Sequence, residues 1–211
     1  RGRGRRSFAA AVPLSVVPLG QPHAVSRRAE STSSDVQPVA LPESFYFEGN
    51  NPAFAKCLEE HGVVVLRSLL PTETVERLQN LVWDWLEGLG TGVRRDDPRT
   101  WTVEDGRWPL DNSSTGIVCT GGAGQSSAAW SLRGEEVVQD AFAKVWDTDE
   151  LLSSMDGLIL WRPWQSKPSC VLEEWRTRGQ WLHIDQNVSK RPGRLAVQGL
   201  VTLTPADPLG T

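Results

Sequence analysis

A chain of 211 residues that is 39% hydrophobic and 23% charged is long enough for one domain with a real core and has the balance of a soluble globular protein. A formal net charge of -4 gives no reason to expect nucleic acid as a partner. No apolar run is long enough to cross a bilayer, which excludes a membrane-spanning helix.

Residues 1 to about 42 differ from the rest. Arg1, Arg3, Arg5, Arg6, Arg27 and Arg28 are interspersed with Ala, Val, Pro and Ser, and the first acidic residue is Glu30. This is the composition of an organelle transit peptide for a plastid or mitochondrion, or else of a disordered tail. Either reading predicts no stable fold here and places the folded domain at 43–211. Pro52 to Glu60 reads as a short helix closed by His61-Gly62, with Gly62 as its C-cap and His61 a turn residue rather than a ligand. Val63 to Leu66 reads as a buried strand.

Leu70-Pro71-Thr72-Glu73 opens the clearest helix, with Pro near its start and Glu in its first turn. Val75, Leu78, Leu81, Val82, Trp85, Leu86 and Leu89 recur every three or four residues and form an apolar stripe, and Gly88 and Gly90 end the helix. Thr91 to Ala128 is expected to be loop. Its run Gly121-Gly122-Ala123-Gly124-Gln125-Ser126-Ser127 lacks the Lys and the spacing of a phosphate loop, so a loop beside a site is the reading. Glu135 to Trp146 is a second amphipathic helix, with Val138, Ala141, Phe142 and Val145 on one side.

Gly157 to Trp164 reads as a strand ended by Pro163, and Gln165 to Arg178 as a connecting loop. Gln180 to Val188 reads as a strand, Ser189 to Gly193 as a turn, and Leu195 to Leu203 as one more strand. Helices come first and strands later, an α+β arrangement. Cys57, Cys119 and Cys170 are far apart with no Cys-x-x-Cys pair, so neither a zinc site nor a disulfide framework is indicated and an intracellular, reducing compartment fits. Ten Trp residues are large core and rim side chains, or in part the walls of a pocket for an apolar substrate.

The segment Trp181-Leu182-His183-Ile184-Asp185-Gln186-Asn187 carries the chemistry. On a strand, His183 and Asp185 share one face, one pleat apart. An imidazole and a carboxylate so placed can hold one divalent metal ion, and burying Asp185 without a cation or strong hydrogen bonds costs several kcal/mol. Trp181 shares that face and is a candidate wall of the site. Arg162 ends the preceding strand as a candidate partner for a carboxylate, and Gln125 is a candidate for the mouth of the site.

The order of these segments resembles the phytanoyl-CoA dioxygenase-like family of Fe(II)/2-oxoglutarate oxygenases. The resemblance rests on His61-Gly62-Val63-Val64-Val65-Leu66, Leu69-Leu70-Pro71, Met155-Asp156-Gly157 with Arg162-Pro163-Trp164, the His183-Ile184-Asp185 segment, and Val197 to Thr204. It implies a double-stranded β-helix (jelly-roll, cupin-like) with helices on its outer side. It implies iron held by His183, Asp185 and a later His, with 2-oxoglutarate and O2 as cosubstrates and ascorbate in support. The reaction implied is hydroxylation of a small-molecule or acyl substrate, with succinate and carbon dioxide as coproducts. Asp185 favours hydroxylation, because related halogenases carry a small residue there. No His follows His183, and His23 and His61 do not match the family position. The expectation is therefore a C-terminally truncated domain that binds iron weakly by itself. The competing expectation is a non-catalytic β-helix domain with a ligand- or partner-binding role. If the leader is no transit peptide, the cytoplasm is the expected location.

Overall fold

The computed structural model describes residues 9–18, 41–103, 106–109, 115–167, 170–171, 173–177, 185–187 and 189–204, with 9–18, 165–167 and 170–171 described as backbone. In chain order the elements are β1 (Ala9–Pro18), β2 (Tyr46–Glu48), α1 (Ala53–His61), β3 (Val65–Arg67), α2 (Thr72–Gly88), β4 (Ile117–Val118), α3 (Ser127–Arg133), α4 (Glu136–Trp146), β5 (Leu151–Ser153), β6 (Leu158–Trp161), β7 (Gln165–Lys167), β8 (Cys170–Val171) and β9 (Val197–Thr202). Short 3-10 turns at Glu43–Phe45, Pro98–Thr100, Ala123–Gln125 and Glu173–Trp175 link them. The architecture is mixed helix and strand, with small sheets and, among the described residues, no closed barrel.

The helices follow the sequence pattern. Helix α1 ends at Gly62, whose φ of 76° is the left-handed conformation that suits glycine, and the Gly62 N–H donates to Leu58 O at 2.8 Å. Helix α2 starts after Pro71 and carries Glu73 in its first turn. Its stripe buries Leu78, Val82 and Leu86 completely. Removing each such side chain from water stabilises the fold by about 1.5–3 kcal/mol. Helix α4 buries Val138, Ala141, Phe142 and Val145, as its spacing predicts.

Four expectations need correction. The leader is not without structure: Ala9–Pro18 is a strand at the middle of a five-stranded sheet. It runs antiparallel to β9 on one side over Ala11–Val16, and to β6 over Ala9–Ala11 and β5 over Val16–Pro18 on the other. The reason is local composition. The arginines flank this stretch, which is itself uncharged and rich in Ala and Val. Pro13 falls among residues paired on one side alone, where a missing N–H costs least.

The second correction concerns the segment expected to be loop up to Ala128, where α3 begins at Ser127. Ser126 caps it, its hydroxyl oxygen accepting from the Ala129 N–H at 3.3 Å. Third, the expected loop Gln165 to Arg178 contains the antiparallel pair β7 and β8. Fourth, the strand expected over Gln180 to Val188 is not a strand where it is described: Asp185 and Gln186 are bends. Most of that segment, His183 included, lies outside the described residues.

The main core joins α2, α3, α4, β4 and β6 with Trp101, Trp108 and Trp175. Trp101 is central, its ring centroid 5.3 Å from Trp83, 5.9 Å from Trp108 and 6.0 Å from Trp175. Gly157 precedes β6 at a point of close approach, where a Cβ would lie 2.0 Å from Val118 O. A smaller core of Phe54, Ala141 and Val145 lies beneath α1, and Trp146 and Val197 pack against both.

Candidate functional site

Asp185 is half-buried, and its Oδ2 accepts a hydrogen bond from Gln198 Nε2 on β9. The loop between them is tied by one side chain. Gln186 Oε1 accepts from the Leu195 N–H at 3.0 Å, while its Nε2 donates to Arg191 O at 2.6 Å and also to Gly193 O. Asn187 Oδ1 accepts from the Lys190 N–H at 3.2 Å and closes the turn. These side-chain bonds replace a strand ladder and explain why the chain bends at Asp185. Sequence reasoning missed both glutamines. Gln198 sits on an alternating strand and reads there as one more solvated residue.

A half-buried carboxylate steadied by an amide N–H has the donor chemistry that a divalent cation takes, and partners of this kind fix the orientation of ligating carboxylates. His183, the second expected ligand, and Trp181 lie outside the described residues. Among the described residues no three His, Cys, Asp or Glu side chains are grouped as a metal ion needs, and no helix is long and apolar enough to cross a membrane.

Arg162 occupies a different neighbourhood. It is 4% exposed, donates from Nη1 to Trp101 O at 2.8 Å and from Nη2 to Glu174 O at 3.1 Å, and faces the rings of Trp108 and Trp175 at 5.8 and 5.3 Å. Burial pushes its pKa down to about 10, opposed by the charge of Glu174. Its donors are directed at backbone carbonyls, and it closes the Trp cluster.

Gln125 is exposed, as a mouth residue would be, but it belongs to a third neighbourhood. Its Oε1 accepts from Trp130 Nε1 and its Nε2 contacts Met155 Sδ, each at 3.0 Å. Behind it Arg133, 7% exposed, donates from Nη1 to Gly124 O at 2.7 Å and from Nη2 to Asp156 O at 3.2 Å. Desolvation lowers the Arg133 pKa. This arginine fastens the glycine-rich turn to the segment before β6. No sequence signal marks it, since its acceptors are main-chain oxygens.

No protein-family model matches the chain, and no solved structure does. A curated protein, "Ava biosynthesis cluster protein O" of Aspergillus versicolor, is 31% identical over 147 residues, which cover 70% of this chain and 44% of that protein. The chain thus spans less than half the length of this relative.

Proposed function

We propose that the protein is an Fe(II)- and 2-oxoglutarate-dependent oxygenase of the phytanoyl-CoA dioxygenase-like kind. In this reading the complete domain is a double-stranded β-helix, and the substrate hydroxylated is a small or acyl molecule. One observation carries the reading. The carboxylate of the His-x-Asp motif is held by Gln198 from the strand that follows the motif, so β9 sets the position of the proposed ligand. The order of the sequence segments quoted between His61 and Thr204 supports the same reading. The relative's name places that protein in a biosynthesis cluster, which suits an enzyme of small-molecule synthesis.

His183 and Asp185 would hold the iron, whose role is to bind and activate O2 beside 2-oxoglutarate. The chain's own part is to fix one carboxylate oxygen through Gln198 and to hold the 186–195 loop through Gln186. Anaerobic titration of the whole chain with Fe(II) and 2-oxoglutarate tests the assignment. The expected result is weak Fe(II) binding that is lost in His183→Ala and in Asp185→Ala. Fe(II) binding of equal strength in the wild type and both variants would overturn it.

A further inference from the structure

A cavity of about 670 Å³ lies between α4, residues 62–70 and β9. Its volume falls in the range of small-molecule pockets, roughly 300–1,000 Å³. Among the described residues every lining residue is uncharged. Val64, Leu66, Phe142, Val145 and Val201 give its apolar walls, and Ser68, Gln198 and Thr202 are the polar side chains along it. Arg67, the charged residue of the 62–70 segment, is held elsewhere. It donates to Glu43 Oε1 at 2.5 Å and lies over the Tyr46 ring at 4.0 Å. Val63 and Leu200 are 40% and 50% exposed on the lining. Large apolar side chains left in water on a concave surface mark a place where something apolar binds. Gln198 both lines the cavity and donates to Asp185, so one residue of β9 links the cavity to the proposed metal ligand.

We propose that this cavity binds an uncharged, largely apolar small molecule. The class follows from the walls. A carboxylate or phosphate buried here would meet no counter-charge among the described lining residues and would lose its hydration without return, whereas a hydrocarbon or aromatic skeleton gains by leaving water in proportion to its area. One neutral oxygen on the ligand can be met by Ser68, Thr202 or Gln198. As the seat of the prime substrate the assignment rests on the oxygenase reading; as a binding cavity it does not.

The experiment is titration of the whole chain, without metal, with the uncharged fluorescent probe N-phenyl-1-naphthylamine. We expect one saturable site, displaced by dodecan-1-ol at roughly tenfold lower concentration than by dodecanoate. Leu200→Arg and Val63→Asp alter exposed positions that tolerate charge, and each is expected to weaken the probe by roughly tenfold or more. Met155→Arg, at an equally exposed position away from the cavity, leaves binding unchanged. A diazirine derivative of dodecanol should label peptides 62–70 and 197–202, which keeps the test open should either charged variant fail to fold. Four results would overturn the proposal: binding that does not saturate, equal displacement by alcohol and carboxylate, labelling elsewhere, or a dimer whose formation excludes the probe. The wild-type chain separates the two readings. Probe binding in a wild-type chain that binds no Fe(II) sinks the oxygenase and leaves the cavity; Fe(II) binding without a probe site does the reverse.

Discussion

Burying the Arg162 guanidinium takes it out of water, and two carbonyl oxygens and two indole faces stand where water would. Glu174 contributes its backbone oxygen to this arrangement at 3.1 Å, so among the described residues both Nη groups are met by backbone carbonyls. The planar fork matters, because its two Nη groups reach Trp101 O and Glu174 O at once. An ammonium on a flexible stem presents a single point charge and cannot serve both. Arg162→Met should therefore lower unfolding free energy by about 2–4 kcal/mol, since two acceptors lose their donor, and Arg162→Lys should recover little of it. Urea denaturation followed by tryptophan fluorescence measures both. A Lys variant as stable as the wild type would show that charge rather than fork geometry is what the site uses.

Among the elements, β1 departs furthest from the sequence reading and α4 follows it most closely. The α2 stripe and the α4 face were legible because an apolar repeat of 3.6 residues has few other solutions. The alternation of β9 was legible for the corresponding reason at period 2. In β1 the surrounding arginines dominate the composition and mask ten residues that carry no charge. The short β4, β5, β7 and β8 have two or three residues each, too few for any period to register. Asp185 stands out in the sequence as a carboxylate in an apolar run, but Gln198 and the Gln186 tie do not, because an amide side chain gives no pattern until the loop is closed. If β1 is the shared partner of β5, β6 and β9, a chain starting at Leu19 should lose amide protection in Val197–Thr202 by more than about tenfold, while α2 amides keep theirs. Hydrogen exchange read by mass spectrometry decides this, and unchanged exchange in β9 would remove β1 from the sheet.

At the scale of the whole molecule, the question is whether two cores make one cooperative unit. The main core holds the Trp cluster, and the smaller one lies under α1 with Phe54 at 1% exposure. Helix α4 contributes to both: Val138 and Phe142 face the larger, Ala141 and Val145 the smaller. Trp146 and Val197 pack on both, so a helix and a strand are shared. Opening the smaller core alone would expose Ala141 and Val145 of α4 to water while Val138 and Phe142 stay buried. Phe54→Ala deletes a buried ring in the smaller core and should cost about 3–5 kcal/mol. With cooperative cores, the midpoint followed by far-UV circular dichroism and that followed by fluorescence of the distant Trp cluster move together and by the same amount. If the fluorescence midpoint stays at its wild-type value while the dichroism shifts, the cores unfold separately. In that case the wall that α4 and β9 give to the apolar cavity would open before the Trp cluster does.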